Sequence, residues 1–115
     1  MPRVAVTAKM PDVIYEMSKK GLGMTTVVDA HGRLAGILTD GDLRRLMLQR
    51  GAATLDLMVG DCMNKNPQTL APSELAGSAL RIMEERKITS LVVTDSEQKP
   101  LGVVHLHDLW TLELF

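Results

Sequence analysis

The chain repeats itself at an interval of 66 residues, and no other feature restricts its fold as tightly. Residues Met17–Leu43 align without a gap on Met83–Leu109. Leu22 falls on Ile88, Asp29 on Asp95, Gly36 on Gly102 and Asp42 on Asp108. The same register pairs Val4 with Leu70 and Leu46 with Leu112. Nearly all of the 115 residues therefore belong to two copies of one unit. A chain of this length forms one compact domain, or two half-domains sharing a core. Duplication creates two equivalent crevices about an approximate twofold axis, which suits ligand sensing better than single-site catalysis.

Hydrophobic periodicity gives each copy the order β-α-β-β-α. In the first, Val4–Val6 reads as a short strand. Met10, Val13, Ile14 and Met17 then follow helical spacing. Pro11 suits the first turn of that helix, and Gly21 with Gly23 ends it. Thr25–Val28 is β-branched throughout and reads as a strand. Asp29–Arg33 carries turn chemistry, Ala35–Thr39 returns antiparallel, and Leu43–Gln49 is helical up to Gly51. In the second copy, Thr69-Leu70 is the short strand and Ser73 is the expected N-cap, with Glu74 in the first turn. Ala76, Ala79, Leu80 and Met83 take the core positions. Leu91–Thr94 and Leu101–His105 form the second hairpin, and a last helix is expected from Asp108. The expected domains are a first repeat over 1–51, a connection and lead-in over 52–66, and a second repeat over 67–115.

Composition narrows the function classes. With 45% hydrophobic residues but one Phe, one Trp and one Tyr, a core must be built from aliphatic residues and the eight Met. The net charge of −1 gives no electrostatic footprint for nucleic acid or an anionic membrane surface. No 20-residue apolar span and no signal-peptide pattern is present. Cys62 stands alone, so no intrachain disulfide can form, and a cytoplasmic setting is expected. Val59-Gly60-Asp61-Cys62-Met63 precedes the second copy, yet nothing comparable precedes the first. An upstream stretch is therefore expected in the parent chain.

Gly36-Ile37-Leu38-Thr39-Asp40-Gly41-Asp42-Leu43 is a strand that ends in a polar turn at a helix start. This resembles the signature of the cystathionine-β-synthase (CBS) domain: Gly, an apolar strand, Thr, two residues, Asp. Val59-x-Asp61-x-Met63 resembles the lead-in to a CBS repeat. The resemblance covers the whole chain and implies an α/β (α+β) fold, two pseudo-twofold-related β-α-β-β-α units packed sheet to sheet as one compact module. A narrower resemblance rests on Thr39–Arg45, Ile88-Thr89-Ser90 and His105–Leu109. It is to the C-terminal CBS pair of bacterial D-arabinose 5-phosphate isomerases, in which an upstream sugar-isomerase (SIS) domain carries catalysis. This chain then has no catalytic residues of its own. Two positions depart from the family pattern. Thr26 and Val92 stand where many CBS domains have Pro, and His105 replaces the signature Thr. Both weaken an automatic assignment to adenosine nucleotides.

The resemblance places ribose contacts at Asp42 and Asp108, where a carboxylate can take two hydroxyls beside a phosphate-attracting helix start. Asp is also favoured there simply as a cap. Thr39 is either a ligand contact or a capping hydroxyl. Arg44 and Arg45 occupy a first turn, an unfavourable place for cations unless an anion is near, so one of them is expected to reach a phosphate or carboxylate. His105 and His107 lie two apart at a strand end and can bond an anionic ligand. With Asp108 they imitate a metal site but lack further ligands, and no metal is expected. Family pockets are lined by the first and middle strands, which adds Val4, Met24, Thr25, Thr69, Thr89, Ser90 and Leu91. Asp40 with Asp42 lacks the base or metal of a catalytic pair. Gly21-Leu22-Gly23 lacks the third Gly and the strand of a dinucleotide motif. Cys62 has no neighbouring base and is expected to be inert.

The expected function is a regulatory module that needs no cofactor and binds a nucleotide or nucleotide-sugar effector. The activated end product CMP-Kdo is favoured by pathway logic, with AMP or ATP as alternatives. Expected partners are the upstream SIS domain and a second copy in a homodimer, without nucleic acid or membrane. The rival reading is an association module without a ligand.

Overall fold

The computed structural model describes residues 1–105, apart from the side chains at positions 75 and 76. The expected last helix, with His107 and Asp108, lies outside the described residues, as does the side chain of Ala76. The chain divides into two units, residues 1–66 and 67–115.

The first unit runs β1 (Arg3–Ala5), α1 (Met10–Lys20), β2 (Met24–Val28), β3 (Leu34–Thr39) and α2 (Asp40–Arg50). Its sheet has the order β1-β2-β3, with β1 parallel and β3 antiparallel to β2. A parallel pair needs a crossover, and α1 supplies it. Met10, Val13 and Met17 recur on one helix face and are buried against Val27 and Leu38. Burying each side chain of this size contributes roughly 1.5–3 kcal/mol. Gly21 ends α1 in the left-handed region at φ 67°, its N–H donating to the Met17 carbonyl at 2.9 Å. α2 starts at Asp40, three residues before the expected Leu43, because Thr39 caps it.

Residues 51–66 do more than join the copies. They form a 3₁₀ turn (Gly51–Asp56) and a short helix, α3 (Val59–Cys62). Met10 N–H donates to the Leu57 carbonyl, Val59 N–H to that of Ala8, and Gly60 N–H to that of Val6. Ile37 and Asn64 exchange two backbone hydrogen bonds at 3.0 and 2.8 Å. Val59 is fully buried in the first core. The Val59–Met63 motif, which reads as a lead-in to the second repeat, is thus packed into the first unit.

The second unit repeats the plan: β4 (Thr69–Leu70), α4 (Leu75–Arg86), β5 (Ser90–Thr94) and β6 (Pro100–His105), in the order β4-β5-β6. Leu70, Ala79, Met83 and Leu91 form its core. Ser73 is not the N-cap expected of it. Pro72–Glu74 forms a 3₁₀ turn, α4 is capped at Glu74, and the Glu74 carboxylate accepts the Ala71 N–H instead.

The two hairpins show the duplication atom by atom. Asp29 Oδ1 accepts the N–H groups of His31 and Arg33 at 2.8 and 3.0 Å. Asp95 Oδ1 accepts those of Glu97 and Lys99 at the same two distances. The backbone bond from Arg33 or Lys99 holds each carboxyl below its ordinary value. A strand irregularity also recurs, at Val27/Val28 and Val93/Thr94.

The copies differ at two matched positions. Gly36 is crowded: a Cβ there would lie 2.5 Å from the Asn64 carbonyl oxygen and 2.7 Å from Met63 Sδ. At Gly102 a Cβ would meet nothing within 4 Å among the described residues. Gly36→Ala should therefore cost about 1–3 kcal/mol by urea unfolding, and Gly102→Ala well under 1. Lys87, the counterpart of Gly21, caps α4 at φ 57°, a conformation costly for a side-chain-bearing residue. Lys87→Gly should raise the unfolding free energy by about 1 kcal/mol in the same assay.

Candidate functional site

In the first unit the structure gathers Thr39, Asp42 and Arg45 at the start of α2. Thr39 Oγ1 accepts the Asp42 N–H at 3.1 Å, and Asp42 Oδ2 accepts the Thr39 N–H at 3.0 Å, a reciprocal capping box. Asp42 Oδ1 accepts from Arg45 Nη2. Arg45 is thus engaged by Asp42, whereas Arg44 is exposed on the same turn with no ion pair among the described residues. Both Asp42 oxygens carry one partner each. A carboxylate has about four lone-pair sites, so room remains for a ligand hydroxyl.

Strand parity sorts the remaining candidates. In the first unit Val4, Thr25, Val27 and Leu38 share the face covered by α1. Thr25 is fully buried and its hydroxyl donates to the Thr26 carbonyl. Val4 packs on the first core, and Leu91 lies within the second. Core packing accounts for these three. Met24 and Thr39 are paired across the strands on the opposite face, with Met24 buried.

The second sheet has a corresponding face. Ser90 pairs with His105, Val92 with Val103, and Thr69 aligns with Val92. Leu70, Leu91 and Val104 face the α4 side. Thr69, Ser90 and His105 therefore share the side away from α4. Thr89 lies exposed in the bend before β5. His105 Nε2 is buried with no hydrogen-bond partner among the described residues.

A cleft of about 230 Å³ opens between the end of α1 and the start of α2, lined by Ile14, Met17, Ser18, Gly23, Asp40 and Leu43. None of the expected ligand contacts lines it. Asp40, set aside in the sequence as half of a catalytic pair, is the one carboxylate in its lining. Burial pushes the Cys62 thiol up, and Sγ lies 3.8 Å from Met10 Sδ. Among the described residues no group of three or more His, Cys, Asp or Glu side chains is placed to hold a metal. No described helix is long and apolar enough to cross a membrane.

The CBS domain family model matches residues 1–49 and 59–109, one match to each copy of the repeat. The chain belongs to the CBS domain family. Arabinose 5-phosphate isomerase KdsD of Pseudomonas aeruginosa is 44% identical over 109 residues, 95% of this chain and 33% of that protein. The chain thus spans about a third of the length of the curated relatives it matches. A CBS-domain protein of Burkholderia ambifaria superimposes with a TM-score of 0.86 at 25% identity, covering 99% of this chain and 82% of the other. CBSX2 in complex with AMP gives 0.82 at 25% identity, covering 96% and 85%. The mixed α/β architecture with two three-stranded sheets is that of CBS-pair structures.

The capping box predicts a stability effect independent of any ligand. Thr39→Ala should lower the unfolding midpoint in urea, at a cost of about 1 kcal/mol. Asp42→Asn keeps an acceptor for the Thr39 N–H and should cost less.

Proposed function

We propose that this CBS pair is the effector-binding part of an arabinose 5-phosphate isomerase, taking a nucleotide or nucleotide sugar. One observation carries this reading: 95% of the chain aligns, at 44% identity, with a third of such an enzyme. The rest of that relative leaves room for a SIS domain upstream, which would perform the isomerisation. The chain itself then has a regulatory rather than catalytic role. CMP-Kdo, the activated end product made from the isomerase product on the way to lipopolysaccharide, is the effector of choice. Its ribose suits Asp42, and its phosphate and carboxylate suit Arg44 or an imidazole. The AMP bound by CBSX2 makes adenosine nucleotides the natural competitors.

Control through such a module requires the ligand to favour one state of the catalytic part. A coupling of about 1–3 kcal/mol is typical and is enough for feedback. The effector is a regulatory ligand rather than a cofactor. A cytoplasmic homodimer completes the reading.

Thermal denaturation with CMP-Kdo, CMP, AMP and ATP tests it. A ligand that binds the native state raises the midpoint with concentration, by about 2.7 kcal/mol of stability at a hundredfold excess over Kd. CMP-Kdo should give the largest shift. A larger shift with AMP or ATP would replace it by an adenosine nucleotide. No shift with any of the four, with a stable dimer by light scattering, would leave an association module.

A further inference from the structure

The cleft between the end of α1 and the start of α2 has no part in the effector-binding reading. It holds about 230 Å³, and Ile14, Met17 and Leu43 give it aliphatic walls. It lies on the α1 side of the first sheet, whereas Met24 and Thr39 occupy the opposite face. The Asp40 carboxylate is the one charged group in its lining. A Cβ on Gly23 would stand 3.1 Å from Asp40 Oδ2, so the carboxylate lies directly over that glycine. The Asp40 side chain has neither a hydrogen bond nor an ion pair among the described residues.

The fold does not ask for an acid at this position. Thr39 and Asp42 already close the capping box of α2, and Asp42 already places a negative charge in its first turn. Asp40 serves that helix start through its backbone, its N–H donating to the Gly23 carbonyl at 2.9 Å. The repeat register makes the same point. Leu80, Met83 and Leu109 stand at the positions of Ile14, Met17 and Leu43, so the apolar character recurs in sequence. Leu106 stands at that of Asp40, and Lys87 and Thr89 at those of Gly21 and Gly23. The carboxylate, and the two glycines that leave its surroundings free of side chains, are peculiar to the first copy.

The backbone around the cleft adds acceptors of the same sign. Carbonyls at the end of a helix point beyond it, where the dipole is negative. The carbonyls of Ser18, Lys19 and Lys20, in the last turn of α1, receive no hydrogen bond among the described residues. The positive end of the α2 dipole faces the same space but carries Asp40. Lys19 and Lys20 are exposed, and neither pairs with Asp40. Acceptors without donors, beside aliphatic walls, match a compact cation that only donates. A primary ammonium has three N–H donors and no acceptor.

We propose that this cleft is a separate ligand site for a primary amine on a small apolar body. Asp40 and the free carbonyl ends of α1 hold the ammonium, and Ile14, Met17 and Leu43 take the body. The site is independent of the effector-binding reading.

Titration of the ¹⁵N-labelled 115-residue chain with benzylamine, followed by NMR, tests the assignment. Benzylamine is charged near neutral pH and small enough for the cleft. It should move the amide resonances of Ser18, Gly21 and Gly23 in a saturable way, with a millimolar Kd expected of so small a ligand. Benzyl alcohol has the same shape without the charge and should bind about fivefold more weakly. Asp40→Asn keeps the shape of the side chain and should weaken benzylamine by a similar factor while leaving benzyl alcohol unchanged. Asp40→Leu, which installs the second-copy residue, should do the same. Melting curves without ligand identify a variant that has lost its fold, and salt supplies a readout that needs no variant. Raising it from about 0.05 to about 0.5 M should weaken benzylamine and spare benzyl alcohol. No saturable shift at these amides, equal affinity for the two probes, or indifference to Asp40→Asn overturns the assignment. None of these results touches the effector role, which the nucleotide denaturation series decides.

Discussion

Each unit stands on one helix laid across one face of three strands. Without α1 the parallel pairing of β1 with β2 would have no crossover, and without α4 the same holds for β4 and β5. Once the helix is in place, strand parity does the rest. Every second side chain must enter the core, as Val27 and Leu38 do in one unit and Leu91 in the other. The alternate side chains point to the other face of the sheet. They are not left open to solvent: Met24 and Thr26 in the first unit, and Val92 and Thr94 in the second, are buried on that opposite face.

The helix that follows the hairpin extends this logic in the first unit. Thr39 is the last residue of β3 and the N-cap of α2, so one residue ends one element and starts the next. The Thr-x-x-Asp pattern is thereby satisfied by helix capping alone, through Thr39 and Asp42. The same pattern supports a ligand-binding role without a conflict, because the capping bonds occupy only part of the carboxylate. A motif can satisfy backbone donors and still face a ligand. Because α2 starts at Asp40, Arg44 and Arg45 lie in its second turn and not in the first turn expected for them, and Asp42 engages Arg45 from the turn before. Arg44 has no ion pair among the described residues.

The sequence made the repeat, its element order, the Gly21 stop and the Asp29 and Asp95 turns legible, because each has a local cause. What it concealed is non-local. Val4, Thr25 and Leu91 look like pocket-lining residues until the pairing register sets their parity and turns them into the core. Val59 to Met63 precede the second copy in the chain, yet Val59 and Gly60 donate to the Ala8 and Val6 carbonyls of the first, and the next residue, Asn64, pairs with Ile37 there. Ser73 matches the composition of an N-cap, but Pro72 favours a 3₁₀ turn and Glu74 reaches back to Ala71, so the helix starts later. The orphaned Nε2 of His105 required coordinates. The sequence offered only the substitution of His for the signature Thr.

A duplicated chain contains its own comparison, and residue identity across the copies is a poor guide to constraint. Asp29 and Asp95 are identical and make identical bonds, so there the identity has a physical cause. Gly36 and Gly102 are also identical, yet only Gly36 is crowded, and nothing among the described residues explains a glycine at 102. Gly21 and Lys87 differ while sharing one backbone conformation, because the fold demands a left-handed residue there whichever side chain carries it. The informative positions are those where the backbone is matched and the side chains diverge away from the core. Met24 against Ser90 and Thr39 against His105 are such positions: a buried apolar side chain is exchanged for a hydroxyl, and a hydroxyl held in the capping box for an imidazole whose Nε2 has no partner among the described residues.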